Sequence, residues 1–319
     1  MAQRYDLVIV GMGSGGMVAA GFAASLGLRV AAVERDRIGG DCLWTGCVPS
    51  KALLAAGKVA QHVRTAEEFG ITAGPPEIDR GKVWERIRKV QAEIAATEDD
   101  PARFEAEGIE IVWGAARLTG PTTVTVATDA GDRALETRYV LLATGSRPVV
   151  PPIEGLADAG FVTSENLFEL TDPPASFVNI GGGPIAVEMV QAFTRLGIPV
   201  TLLQKGPGIL PRDEPALVDL LVDALRAEGV QLCFDVVATK VTVEGGRKVV
   251  HGTEAGTPRT WEGEELLVAV GRRPNVADLG LDDLGIETTP NGIVVDNRGR
   301  TSVDTVYACG DVAGRFLFT

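Results

Sequence analysis

The sequence predicts an α/β fold built from two similar βαβ units, the second carried as an insertion within the domain of the first. Three observations carry that prediction. A glycine turn recurs at an offset of 170 residues (5–35 against 175–205), strand-type apolar runs flank each copy, and two echoing segments, 141–148 and 267–274, mark where the chain leaves the first domain and re-enters it.

Each copy opens on a short apolar run, Leu7-Val8-Ile9-Val10 or Phe177-Val178-Asn179-Ile180, of the kind that forms a buried parallel strand. A glycine turn follows, Gly11-x-Gly13-x-x-Gly16 in the first and Gly181-x-Gly183-x-x-Ala186 in the second. A helix-length stretch then ends on Leu26-Gly27 or Leu196-Gly197, and another apolar run finishes at Glu34 or Gln204, each 23 residues past its first glycine. The first glycine makes a tight turn, the second lets the backbone approach a pyrophosphate, and the third lets helix and strand pack closely. The helix N-terminus adds unpaired N–H groups and the positive end of its dipole. Two copies at one internal spacing therefore predict two Rossmann-like dinucleotide-binding domains. Glu34 suits ribose hydroxyls and a nucleotide without a 2′-phosphate. Gln204 removes that acid and Lys205 adds positive charge, which leans the second site toward NADPH over NADH, although a single lysine reads equally as solvated surface.

The echoing segments, Leu141-Leu142-Ala143-Thr144-Gly145-Ser146-Arg147-Pro148 and Leu267-Val268-Ala269-Val270-Gly271-Arg272-Arg273-Pro274, each run from a buried strand into a glycine and a proline. They place one discontinuous domain at 1–148 and 275–319, with 149–274 inserted. Helices are expected over Lys58–Phe69 and Val83–Ala96, and a small antiparallel sheet over Ile109–Val140.

Composition excludes some partners. The chain of 319 residues suits two domains, and its 45% hydrophobic content supports real cores. A net charge of −13 argues against nucleic acid and anionic membranes. The uncharged stretch Leu7–Leu28 is broken by six glycines and is not expected to span a membrane. With no Asn-x-Ser/Thr site and no signal peptide, a cytoplasmic location is expected, where cysteines serve chemistry or packing more often than structural disulfides.

Two of the four cysteines stand in Gly39-Gly40-Asp41-Cys42-Leu43-Trp44-Thr45-Gly46-Cys47-Val48-Pro49-Ser50-Lys51. In a continuous helix, residues five apart are separated by about 7.5 Å, beyond the roughly 7 Å that a disulfide tolerates. Cys42 is therefore expected in a turn and Cys47 near a helix start. So small a loop gains little stability from bridging, which favours a redox role. Lys51, one turn beyond Cys47, adds positive charge. No metal site is expected, because His62 and His251 stand alone and Cys233 and Cys309 lie in apolar runs where they read as small core residues.

Taken together, the two units, the cysteine run, Ala143-Thr144-Gly145 and the late Tyr307-Ala308-Cys309-Gly310-Asp311 resemble the pyridine nucleotide-disulfide oxidoreductases, in the branch of dihydrolipoamide dehydrogenase and mercuric reductase. Ser50 fits that branch better than glutathione reductase, which usually has a second lysine there. The resemblance implies FAD on the first unit, held by Gly11, Gly13, Ser14, Gly15, Gly16, Glu34, Arg35, Gly40, Asp41, Lys51, Ala143, Thr144, Gly145, Gly310 and Asp311. It implies NAD(P)H on the second, held by Gly181, Gly183, Pro184, Ile185, Ala186, Glu188, Gln204, Lys205 and Gly271. Cys47 would face the flavin and Cys42 would attack substrate, while Glu188 would pair with Lys51 beside the reactive flavin edge. Electrons would run from NAD(P)H through FAD to a Cys42–Cys47 disulfide and on to a small disulfide, a metal ion or a similar acceptor.

The chain departs from the family in two places. Asp41, Leu43 and Trp44 stand where the two named enzymes usually have Thr, Val and Asn, so the substrate-facing lip is altered. Family members continue for on the order of a hundred residues into a dimerisation domain that supplies a His–Glu base pair to the partner subunit. Here the sequence ends at Thr319, so the expectation is a chain without that domain, incomplete for turnover, whose longer form is a homodimer. The segment 314–319 falls where relatives begin a helix facing the flavin. The alternatives are a non-catalytic or redox-sensing nucleotide-binding module, and a flavin oxidase or monooxygenase, which would not need the two cysteines.

Overall fold

The computed structural model describes residues 4–314; the expectation for the segment that follows Gly314 lies outside them. In chain order the elements are β1 (Tyr5–Val10), α1 (Ser14–Ser25), β2 (Val30–Glu34), α2 (Gly40–Trp44), α3 (Cys47–Arg64), α4 (Arg80–Ala95), α5 (Pro101–Ala106), β3 (Ile109–Trp113), β4 (Ala115–Gly120), β5 (Thr123–Thr128), β6 (Gly131–Leu142) and β7 (Ser146–Pro148). Then come α6 (Leu156–Ala159), β8 (Phe177–Ile180), α7 (Pro184–Arg195), β9 (Val200–Leu203), α8 (Pro215–Glu228), β10 (Gln231–Cys233), β11 (Val236–Glu244), β12 (Arg247–Glu254) and β13 (Thr257–Gly263). The chain continues with β14 (Glu265–Val268), β15 (Arg272–Pro274), β16 (Thr288–Thr289), β17 (Gly292–Ile293) and β18 (Val306–Ala308).

Two compact units emerge, one from the described parts of Met1–Cys47, Gln91–Arg147 and Arg272–Thr319, the other from Val48–Val90 and Pro148–Gly271. Most of α3 and α4 therefore clusters with the residues that follow Pro148. In the first unit β3, β2, β1 and β6 form a parallel sheet, with β18 added beside β6. The apolar run Leu7–Val10 is paired on both sides, by β2 and β6, which explains its lack of polar alternation. Strand β6 is shared: its later residues pair in parallel with β1, and Gly131–Glu136 pair antiparallel with β5.

The second unit repeats the arrangement as a parallel sheet ordered β10-β9-β8-β14, with an antiparallel β11-β12-β13 sheet alongside in sequence. Its core centres on Phe193 of α7, which stacks on Phe177 at 4.5 Å and on Trp84 at 6.2 Å between ring centroids. Among the described residues no helix is long and apolar enough to cross a membrane.

The two βαβ cores share one offset. Helix α1 covers 14–25 and α7 covers 184–195, preserving the offset of 170. The echoing segments end in β7 and β15, which pair with each other. Two local expectations need correction. Strand β3 is parallel to β2, with Val30 opposite Ile109, and does not belong to the antiparallel sheet. The reason is α5, a helix capped by the Asp100 side chain, which returns the chain to the same end of the sheet as a crossover does. The helix expected from Lys58 to Phe69 instead starts at Cys47 and stops at Arg64, followed by a 3-10 turn at Ala66–Phe69. Pro49 is tolerated because it sits in the first turn, where an N–H has no partner within the helix.

Candidate active site

The first glycine turn is sterically closed to side chains where its backbone crosses itself. Gly11 adopts φ +101°, and a Cβ there would lie 2.5 Å from Ala143 O. A Cβ on Gly16 would come within 1.8 Å of Gly11 O, so helix and strand meet with no room for a methyl group. Over Gly13 the space is open, a Cβ meeting only Gly40 Cα at 3.8 Å, and Gly13 caps α1 with no side chain. The N-terminus of α1 thus stays available to an anion. Ser14 and Gly15 begin that helix, and Cys309 Sγ lies 3.2 Å from where Gly15 would carry a Cβ.

At the end of β2, Glu34 is buried and already engaged: Met12 N donates to Oε2 at 2.8 Å, and Arg35 N and Asp36 N donate to Oε1 at 2.8 and 2.9 Å. A carboxylate has about four acceptor positions, so three backbone donors leave it little further capacity. Its first task is to hold the turn.

The second turn repeats the backbone with different side chains. Gly181 has φ +117°, and a Cβ there would lie 2.3 Å from Ala269 O. Gly183 caps α7 with open space around it, and Pro184 occupies the first helical position, followed by the half-buried Ile185 and the fully buried Ala186. The Gln204 amide lies against Gly182, with Oε1 3.0 Å from where a Cβ would stand, and Lys205 is exposed. Gly271, at φ +130°, leads into β15.

Cys42 lies within the five-residue helix α2, not in a turn as expected, and Cys47 is the first residue of α3. The spacing argument holds because the helix breaks at Thr45 and Gly46, which brings the two side chains into hydrogen-bonding contact as thiols. The break is fixed from outside the motif. Gln91, buried, donates from Nε2 to Leu43 O at 3.0 Å and to Trp44 O at 2.9 Å. Trp44 donates to Ile38 O at 2.8 Å and carries the Arg37 guanidinium 4.5 Å from its ring centroid. Burial pushes the Cys42 thiol up to about 11, helped by the hydrogen bond and charge of Cys47 and by the charge of Asp99, while the Ser14 hydroxyl pulls it back.

A second cluster surrounds Arg272, whose side chain is only 5% exposed. Its Nη2 pairs with Asp41 Oδ2 and donates to Ser146 O at 2.9 Å, while Nε donates to Ser146 Oγ at 2.7 Å. Ser146 Oγ in turn donates to Asp311 Oδ2 at 2.5 Å. Arg272 therefore joins the residue beside Cys42 to the aspartate that follows Gly310. Burial pushes the Asp41 carboxyl up, against the opposing pull of Arg272. Ser146 and Arg272 hold equivalent positions in the two echoing segments, a correspondence that could have singled them out. Nearby, Asn275 Nδ2 donates to Thr144 O at 2.9 Å and Thr144 Oγ1 donates to Asn275 O at 2.8 Å. Ala143 N donates to Val10 O, and Gly145 and Gly310 both take positive φ, +69° and +71°.

Within the second unit, Lys51 Nζ donates to both carboxylate oxygens of Glu188, at 2.8 and 2.7 Å. His251 Nε2 meets Thr242 Oγ1 at 2.8 Å, and His62 is exposed on α3. Cys233 is buried and Cys309 half-buried, and burial pushes both thiols up. Among the described residues no group of three or more His, Cys, Asp or Glu is arranged to hold a metal ion.

The chain is similar to known proteins over nearly its whole length. The dihydrolipoyl dehydrogenase of Rhizobium etli is 32% identical, over 98% of this chain and 68% of its own length, and that of Bacillus subtilis is 31% identical over the same shares. The mercuric reductase of Lysinibacillus sphaericus is 32% identical over 97% of this chain, which spans 56% of that enzyme. Among solved structures, a Cu(II) complex of the HOCl-induced flavoprotein disulfide reductase RclA from Escherichia coli superposes with a TM-score of 0.85 at 27% identity, covering 99% of this chain and 68% of RclA. The sequence profile described as pyridine nucleotide-disulphide oxidoreductase matches residues 5–318, and the chain belongs to that family.

Proposed function

We propose that the chain is an FAD-dependent NAD(P)H:disulfide oxidoreductase, passing electrons to Cys42 and Cys47 and from them to a small disulfide, a metal ion or a similar acceptor. The observation that carries this reading is the hydrogen-bonded thiol pair at the break between α2 and α3, in the same compact unit as the first glycine turn. FAD is assigned to the domain of 1–148 and 275–319, and the nicotinamide nucleotide to 149–274. The open space over Gly13, the uncapped N-terminus of α1 and the carboxylate of Asp311 suit a pyrophosphate and a sugar hydroxyl. When bound, FAD would accept a hydride from the nicotinamide and release two electrons to the sulfurs.

The chain's own residues account for the sulfur chemistry. Cys42, as thiolate, attacks one sulfur of the substrate disulfide. The S–S bond breaks, and the second sulfur leaves as a thiolate that takes up a proton. Cys47, as thiolate, then attacks Cys42 Sγ, forming the Cys42–Cys47 disulfide and releasing the first sulfur as the second thiol. Glu188 holds Lys51 in place as a cation. Lys205, exposed next to Gln204 at a strand end without an acid, supports NADPH over NADH. A cytoplasmic location and a homodimeric assembly belong to the same reading. A non-catalytic nucleotide-binding module is the second reading, favoured by the burial that raises the Cys42 thiol and lowers its reactivity.

The test is spectroscopic. On mild reduction with NADPH the purified protein should show a flavin spectrum and a long-wavelength thiolate-to-flavin band, and Cys47→Ser should abolish the band. A band intact in Cys47→Ser sinks the cysteine assignment. Equal or tighter binding of NADH overturns the nucleotide preference.

A further inference from the structure

Asp99 follows α4, in the stretch that connects it to α5, and folds back onto the helix that carries Cys42. Its Oδ2 lies 2.7 Å from where a Cβ would stand on Gly39, the N-cap of α2, and its backbone N–H donates to Ile94 O. The backbone is thus fixed independently of the carboxylate. No hydrogen bond or ion pair among the described residues engages that carboxylate. Arg103 acts on it through charge alone, while its guanidinium pairs with Glu98 at 3.3 Å and Glu107 at 3.5 Å. Asp41, the other acid next to Cys42, is taken by Arg272. Cys47 and Asp99 both raise the Cys42 thiol through charge, and the Ser14 hydroxyl acts on it as a neutral donor. A carboxylate beside a nucleophilic thiol, offset only in part by Arg103, repels its thiolate and favours any cation that approaches both.

We propose that Asp99 selects disulfides bearing a positive charge close to the sulfur pair, an ammonium or guanidinium group of the substrate pairing with its carboxylate as the disulfide meets Cys42. The proposal rests on Cys42 being the substrate-attacking thiol. The pairing also serves the chemistry. A cation at Asp99 cancels the repulsion on the Cys42 thiolate, so a substrate of the right charge brings its own activation, and an anionic disulfide meets both the carboxylate and the thiolate.

Charge-matched methanethiosulfonate reagents test this on the reduced protein, 2-aminoethyl against 2-sulfonatoethyl, with modification of Cys42 followed by mass spectrometry of its peptide. Asp99→Asn should lower the rate ratio of cationic to anionic reagent about threefold to tenfold, the effect of one charge across several ångströms of partly wet protein. Asp99→Glu should retain the ratio, and added salt should flatten it in the wild type. Toward neutral iodoacetamide, the rise of Cys42 reactivity with pH should move to lower pH in Asp99→Asn, because a repulsive charge has gone. An unchanged ratio in Asp99→Asn while Cys42 still reacts overturns the charge selection alone. Failure of Cys42 to react in either protein overturns its role as the attacking thiol, and the selection with it.

Discussion

In the first unit a methyl group on Gly16 would come within 1.8 Å of Gly11 O, whereas the second unit carries that methyl group as Ala186 with none of its surface exposed. The flanking helices have the same length, the same offset and the same uncapped glycine start. They differ in what they bury. Helix α7 buries Ala186, Val187, Met189, Val190, Ala192 and Phe193, while α1 buries only Gly16, Ala20 and Ala23 and leaves Val18, Phe22 and Leu26 exposed. The comparison teaches that the glycine-turn backbone is one solution reached with two different packings. In the first unit close approach depends on a missing side chain, and in the second it depends on a filled core.

Three substitution pairs can break or sharpen that contrast. The largest effect is expected in the cores. Phe193→Ala removes the ring stacked between Phe177 and Trp84 and should cost about 3–5 kcal/mol, while Phe22→Ala on the exposed face of α1 should stay within about 0.5 kcal/mol in denaturant melts. Next come the third positions of the turns. Gly16→Ala must displace backbone and should cost about 3 kcal/mol with loss of bound flavin, whereas Ala186→Gly should cost about 1 kcal/mol through helix propensity. Equal costs at these two positions would show that the steric difference does not matter. The smallest effect is expected at the strand ends. Glu34→Gln leaves backbone donors with a poorer acceptor and should cost about 1–3 kcal/mol. Gln204→Glu should leave stability unchanged and shift preference from NADPH toward NADH, read as a ratio of apparent affinities.

The repeat made the scaffold legible, because a fixed offset carries the strand, glycine turn, helix and second strand of one βαβ unit onto the other. The cysteine pair was legible for a similar reason, since two cysteines five apart cannot bridge across a continuous helix, although Cys42 sits in α2 and not in a turn. What escaped is what arrives from far along the chain. Gln91 reaches Leu43 and Trp44 from 48 and 47 residues away, and Arg272 reaches Asp41 across 231. No periodicity encodes such contacts, because they depend on where helices and loops return after crossing the sheet. Asp99 escaped for the same reason, and in sequence it reads as one more solvated acid in Glu98-Asp99-Asp100. Strand β3 was misassigned because its alternating pattern suits either direction, and only the preceding helix α5 decides it.

The pairing of β7 with β15 has a consequence for how this chain could change over time. The excursion that begins after Pro148 starts and finishes on adjacent strands, with Arg272 bonded to Ser146 across the opening. The entropy lost in closing a loop grows only with the logarithm of its length, so once the two ends are held together, lengthening what lies between them costs little. Such a doorway lets loops within the excursion be extended or trimmed while the parallel sheet around β1 keeps its register, whereas exchanging the whole of it would strip Trp84 of its partner Phe193.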